Sequence, residues 1–217
     1  MKKITLIIIE ALIYISFMFF DEYIDSNIRF IGIVILFIYL LLEKSSKDLF
    51  ILRLALLFTI ISDLFLLVID DFYIVGVLSF IIVQLLYLYR LRGFNRKNFY
   101  IPIVLCFNLI LIKIILKDGF DYLLGLTVIY FTLIVNNMIL SLISFKANPL
   151  FALGLVLFVC CDIFVGLYNL SSYVQVGEIV NTINTSGIDF AWGFYLPSQV
   201  LIVLSLNERK RVNLSKQ

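Results

Sequence analysis

Residues 50–69 read FILRLALLFTIISDLFLLVI, an apolar run interrupted only by Arg53 and Asp63. A helix rises 1.5 Å per residue, so about 20 apolar residues cross the roughly 30 Å hydrocarbon core of a bilayer. The run predicts a membrane-spanning helix and places the Asp63 carboxyl well inside it. Insertion of an aspartate at the middle of such a helix costs roughly 2.5 to 3.5 kcal/mol, which implies a compensating partner or a task. The same surroundings occur a second time. Ser62-Asp63-Leu64-Phe65 is matched by Cys161-Asp162-Ile163-Phe164, again inside a long apolar run.

The rest of the chain has the same character. It is 63% hydrophobic and 15% charged, with a mean hydropathy of +1.10, whereas a soluble domain carries about 25% charged residues. Spans are expected at 4–20, 28–42, 50–69, 73–91, 100–116, 121–143, 149–169 and 188–207. The predicted fold class is all-α: a polytopic helical bundle of about eight transmembrane helices, forming a single transmembrane domain over residues 1–217. The first span follows Lys2 and Lys3 in the manner of a signal peptide. It contains Glu10, however, and lacks a small-residue cleavage site before Asp21, Glu22 and Asp25, so it is expected to be retained.

Charge gives the orientation independently of hydropathy, because Lys and Arg accumulate in short cytoplasmic loops. With the N-terminus inside, 14 of the 17 basic residues fall on the cytoplasmic side, including the clusters at 90–97 and 209–211. Arg29, Lys113 and Lys117 fall on the opposite face. Both termini are then cytoplasmic, and the protein is expected to be a multi-pass component of the cell membrane. The short basic clusters are topology signals, and no nucleic-acid partner is expected. Cys106, Cys160 and Cys161 lie within spans and form no C-x-x-C or zinc pattern. Histidine is absent, which removes the usual general base near neutral pH and the commonest zinc ligand. No metal site and no cofactor are expected; carboxylates, amides and phenols remain for chemistry.

Asp63 and Asp162 each follow the cytoplasmic end of their span by about 14 residues, so both carboxyls are expected roughly 20 Å in, within the outer half of the membrane. The next span in each case carries an aromatic and a glutamine four residues apart, Phe80-x-x-x-Gln84 and Tyr195-x-x-x-Gln199. That spacing puts the pair on one helix face, with Phe80 and Tyr195 near the depth of the aspartates. Two halves of four spans, related by a parallel repeat and lining one polar interior, would explain the pattern. The other polar groups in spans, among them Asn108, Tyr130, Asn136 and Asn137, suit helix-to-helix hydrogen bonding. Thr59 shares a face with Asp63 and is placed to bond it. Glu10 can pair with a base, reach the inner surface or join the interior. Residues 171–187 suit a short interfacial helix, either a lid or a plain connector. Pro197 removes a helix hydrogen bond two residues before Gln199.

Ser62-Asp63, Gly76-x-x-x-Phe80-x-x-x-Gln84-x-x-Tyr87, Leu157-Phe158-x-x-Cys161-Asp162 and Tyr195-x-x-x-Gln199-x-x-Ile202, in that order, resemble the YhhN family of membrane proteins, which includes the lysoplasmalogenases. The resemblance covers most of the chain. It implies an eight-span protein with Asp63 and Asp162 as its catalytic residues and a lysophospholipid or plasmalogen-derived lipid as substrate. Relatives of that kind hydrolyse the vinyl ether bond of lysoplasmalogen to a fatty aldehyde and a glycerophospho-base. Many members carry histidine where this chain has Gln84 and serine where it has Cys161; a neutral amide cannot replace an imidazole in proton transfer, so either that histidine is not the essential acid of the family, or this chain has a different substrate or no activity.

Two carboxyls suit the reaction. Protonation of the distal alkene carbon gives an oxocarbenium ion, which water captures to a hemiacetal that collapses to aldehyde and alcohol. A carboxyl group in a low-dielectric site can stay protonated near pH 7, and a neighbouring carboxylate can stabilise the cation, much as in glycoside hydrolysis. The expectation is a proton-sharing pair with Asp162 as the acid, reached by Tyr195, and with Gln84, Tyr195 and Gln199 binding substrate or water. Paired intramembrane acids also describe a proton- or ion-coupled transporter. A non-catalytic membrane component, with the aspartates cross-linking helices, is the third reading.

Overall fold

A computed structural model describes residues 3–19, 26–44, 46–92, 103, 106, 107, 122–170 and 190–206. Most of the expected span 100–116, Asn108, the connector 171–187 and the basic clusters around 96 and 209–211 lie outside the described residues. The described chain forms seven α-helices: α1 Lys3–Phe19, α2 Ser26–Leu42, α3 Lys47–Asp63, α4 Tyr73–Arg92, α5 Tyr122–Ile143, α6 Pro149–Leu170 and α7 Phe190–Leu204. A π-helical turn, Leu64–Val68, continues α3, and a 3₁₀ turn, Phe145–Ala147, joins α5 to α6. The segments Lys47–Val68, Tyr73–Leu91, Tyr122–Ile143 and Pro149–Tyr168 are long and apolar enough to cross a membrane, while Ile28–Leu42 and Phe190–Leu204 are shorter apolar helices. Apolar side chains run around the whole circumference of these helices, with residues such as Ile8, Leu12, Ile38, Phe50 and Leu153 exposed at the surface. Such helices suit a lipid exterior rather than water.

The elements begin where polar residues start them. α3 opens three residues before the apolar window because Ser46 caps it, its hydroxyl accepting from the Leu49 N–H at 3.2 Å, with Asp48 in the first turn. The short α2–α3 link is fixed by Arg53, which donates to the carbonyls of Leu40 at 3.0 Å, Leu41 at 3.1 Å and Glu43 at 2.9 Å. These are carbonyls that the end of α2 would otherwise leave unsatisfied.

Contacts give the helix directions. Arg90 Nε donates to Asp48 at 2.9 Å and the Ser62 hydroxyl to the Gly76 carbonyl at 2.8 Å, so α3 and α4 are antiparallel. Phe80 meets Phe158 and Tyr87 meets Phe151, making α4 and α6 antiparallel as well. Phe80 stacks on Tyr130 and Gln84 is bonded by Asn137. α4 and α5 therefore run the same way. α6 and α7 are antiparallel and form the most extensive helix pair. Their seam closes on Gly154, where a Cβ would lie 2.7 Å from Ile202 Cγ1 and 3.0 Å from the Ser198 carbonyl oxygen, so only glycine permits the approach.

One end of the bundle is closed by an ion pair. Besides its Nε bond, Arg90 donates from Nη2 to the other Asp48 oxygen at 3.0 Å and from Nη1 to the Ser205 hydroxyl at 2.8 Å, and its guanidinium lies 4.4 Å from the Phe151 ring centroid. One buried side chain thus ties α3, α4, α6 and α7 together.

Candidate functional site

Asp63 ends α3 at the point where the helix widens into the π turn, recorded by the Ile69 N–H donating to the Leu64 carbonyl at 2.9 Å. Inserted π turns rotate the residues that follow and occur often at functional sites. The Asp63 carboxyl is 2% exposed. Both of its oxygens accept from the Tyr195 hydroxyl of α7, at 2.9 and 2.7 Å. Asp162, in the middle of α6, is half-buried, and its Oδ2 accepts from the Tyr130 hydroxyl of α5 at 2.7 Å.

The two acid–phenol pairs are joined by rings. Tyr130 stacks on Phe80 with centroids 5.4 Å apart; Phe80 meets Phe158 edge-on at 5.8 Å; Phe158 meets Tyr195 edge-on at 5.6 Å. Each carboxyl has a phenol donor of its own. This differs from the expected arrangement in two ways: Tyr195 bonds Asp63 and not Asp162, and the hydrogen bonds of the carboxyls run to separate tyrosines. Helix geometry explains both, since α7 packs beside α1 and α2 and presents Tyr195 toward α3, while α5 lies against α6.

The other expected site residues divide. Gln84 and Gln199 are fully buried. Asn137 Nδ2 donates to both the backbone carbonyl and the Oε1 of Gln84, at 2.8 and 3.0 Å, leaving Gln84 Nε2 without a partner among the described residues. Neither amide atom of Gln199 has a protein partner, so its hydrogen-bonding capacity is unused within the described residues. Thr59 does not reach Asp63; its hydroxyl turns back to the Ala55 carbonyl at 3.0 Å, the common choice of a helix threonine. Glu10 neither pairs nor reaches the surface. It is 3% exposed, and neither oxygen has a hydrogen-bond partner among the described residues. Pro197 lies inside α7 as expected, and the adjacent Ser198 hydroxyl donates to the Tyr195 carbonyl at 2.7 Å. Tyr130 was not among the expected site residues, although it holds one of the two aspartates. Among the described residues, no three of Cys, Asp and Glu converge as metal ligands.

A family profile matches residues 25–206, which include both aspartates, both tyrosines and both glutamines, and its family is YhhN. The chain belongs to the YhhN family. No curated protein and no solved structure matches it. The part of this YhhN chain inside the match contains every hydrogen bond of the two acid–phenol pairs; Glu10 and Phe17 of α1 fall before it.

Proposed function

We propose that the chain is a membrane lipid hydrolase of the lysoplasmalogenase kind, cleaving the vinyl ether of a lysoplasmalogen with Asp63 and Asp162. The observation behind this reading is the pair of intramembrane carboxyls, each oriented by a phenol in one aromatic-lined core. Asp63, closed off from water, is the better placed to protonate an alkene carbon held among apolar groups. Asp162, half-buried and held by the Tyr130 hydroxyl, is assigned to take up the proton of the attacking water. This reverses the assignment expected from sequence, whose reason, contact with Tyr195, belongs to Asp63.

In this mechanism Asp63 gives its proton to the distal alkene carbon and the ether oxygen supports the resulting cation. Water adds to the cationic carbon and passes a proton to Asp162. Collapse of the hemiacetal returns its hydroxyl proton to Asp63, while Asp162 protonates the departing glycerol oxygen. One water is consumed and both carboxyls return to their starting states. Gln199, with both amide atoms unused by the protein, is assigned to the water or a glycerol hydroxyl. Gln84 is assigned a supporting role, because Asn137 already occupies its acceptor.

The same reading includes eight spans in two four-span halves. It draws support from the parallel course of α4 and α5 and from the packing of each aspartate helix on a glutamine helix, α3 on α4 and α6 on α7. The Arg90–Asp48–Ser205 closure of one end favours a hydrolase site entered from the other end or the side over a transporter that opens at both.

The test is aldehyde release by the purified protein from lysoplasmalogen and from its acyl-linked analogue. Wild type should cleave only the vinyl ether lipid. Asp63→Asn and Asp162→Asn should each lower the rate at least about 100-fold, the lower range for loss of a general acid or base. Activity that survives both substitutions excludes the mechanism.

A further inference from the structure

We infer that a cleft between the first turns of α4 and α5 binds the quaternary ammonium head group of the lipid, an inference that rests on the hydrolase reading for its substrate and on the cleft for its place. At the end of the bundle away from Arg90, a cavity of about 300 Å³ is lined by Asp71, Phe72, Tyr73, Ile74, Val75 and Leu123. Its size is at the lower end of the range for small-molecule sites. The lining is one carboxylate among aromatic and aliphatic side chains. A methylated ammonium presents its charge through an apolar surface, and ring faces beside an anion are what hold such a cation. Among the described residues, the Asp71 carboxylate accepts only the Phe72 N–H, at 2.7 Å from Oδ1, and has no ion-pair partner. The Phe72 ring is 60% exposed and is braced by an edge-on contact with Phe65, centroids 6.2 Å apart. Tyr73 is fixed through its hydroxyl, which donates to the carbonyl and to the Oδ1 of Asp70, at 3.0 Å each.

The cleft lies in line with the acids. Tyr73 and Phe80 are seven residues apart on α4, and Leu123 and Tyr130 are seven apart on α5. Each pair therefore shares a helix face at a separation of two turns, about 10.5 Å along the axis. Phe80 and Tyr130 stack on each other, and the Tyr130 hydroxyl is 2.7 Å from Asp162. In a lysoplasmalogen with a choline head group, nine bonds separate the ammonium nitrogen from the vinyl ether oxygen. At bond lengths of about 1.5 Å and angles of about 111°, that stretch spans about 11 Å when extended. An ammonium in the cleft thus sets the ether oxygen beside Tyr130 and Asp162, the carboxyl assigned to protonate that oxygen as it departs. The alkene carbons then lie further in, toward Asp63. In this arrangement Asp71 selects for positive charge, and the rings of Phe72 and Tyr73 select for the methyl groups over which it is spread.

Binding to the full chain, purified in a maltoside detergent, is measured by calorimetry for 1-oleoyl lysophosphatidylcholine, for its ethanolamine and phosphatidate counterparts, and for free phosphocholine. The three lipids share one acyl chain and contain no vinyl ether, so turnover does not enter. Wild type should bind the choline lipid at least about fivefold more tightly than the ethanolamine lipid, and the ethanolamine lipid more tightly than lysophosphatidate. Asp71→Asn keeps an oxygen for the Phe72 N–H and removes the charge, and it should bring the three affinities to within about twofold. Phe72→Leu should erase the preference for choline over ethanolamine while leaving that for ethanolamine over lysophosphatidate; it decides the matter if Asp71→Asn does not fold. Equal affinity of wild type for the choline and ethanolamine lipids would leave Phe72 and Tyr73 as interfacial anchors and overturns the inference. A choline preference that survives both substitutions does the same. Phosphocholine binding as tightly as the lipid would make the cleft a site for a free solute and overturns it equally. A protein that shows the Asp71-dependent choline preference but releases no aldehyde from lysoplasmalogen refutes the hydrolase reading and leaves the head-group site standing, and aldehyde release without the preference does the reverse.

Discussion

Tyr195 and Tyr130 do the same local chemistry in different surroundings, and the difference predicts unequal costs. Tyr195 supplies the donor for both oxygens of a 2% exposed carboxyl, whereas Asp162 is half-buried and open to other donors. Interhelical hydrogen bonds in membrane bundles average about 0.6 kcal/mol and reach about 1.7. Tyr195→Phe should therefore cost about 1.5 kcal/mol and Tyr130→Phe about 0.6, read from denaturant unfolding in detergent; the reverse order would show that exposure does not govern these pairs. Glu10 predicts the opposite sign, since its carboxyl is buried against Gly32 without a hydrogen-bond partner among the described residues. Glu10→Met removes that unmet group and should stabilise by about 1 kcal/mol or more. Sequence made the aspartates legible because charge inside an apolar run is conspicuous. Tyr130 was not conspicuous, as a tyrosine in a span is also an ordinary packing residue. The depth count that aligns Tyr195 with the aspartates finds Tyr130 too, about 12 Å from the start of α5 at 1.5 Å per residue, but partner choice depends on which helices touch.

The limits of the seven described helices agree with their hydropathy windows to within a few residues, because apolar length is what a bilayer selects. What hydropathy does not contain is local winding: nothing in Leu64-Phe65-Leu66-Leu67-Val68 marks it as a π turn. The seams between helices are similarly hidden, yet the glycines expose them once the structure is known. Gly154 and Gly166 share helix α6 and have opposite environments. A Cβ at Gly154 would press on Ile202 and the Ser198 carbonyl, whereas a Cβ at Gly166 meets nothing within 4 Å. Gly154→Ala should destabilise by about 1–3 kcal/mol through overpacking. Gly166→Ala should stabilise by up to about 1 kcal/mol through helix propensity alone. Equal effects of the two substitutions, measured by the same unfolding assay, would mean that α6 and α7 do not meet at Gly154.

Across the whole molecule the two ends differ, and that polarity was half visible in the sequence. The clustering of Lys and Arg at one end was countable, but Arg90 counted there as a loop charge. In the structure it is 3% exposed, bonded to Asp48 and Ser205 and seated over Phe151. A buried ion pair is costly to break, because removing one partner strands the other charge, at about 3–5 kcal/mol; replacing both with apolar groups is often neutral. Asp48 is 17% exposed, so water softens the penalty when it is the one left behind. Arg90→Met should accordingly be destabilising by about 2–3 kcal/mol, Asp48→Leu by more, since it leaves the better buried cation, and the double variant by less than either. The cycle also separates the functional readings. In a hydrolase the closed end is scaffold, so the double variant, with stability restored, should release aldehyde at nearly the wild-type rate. In a transporter the closure has to open in each cycle, and replacing it with permanent apolar packing would stop turnover while leaving the fold intact.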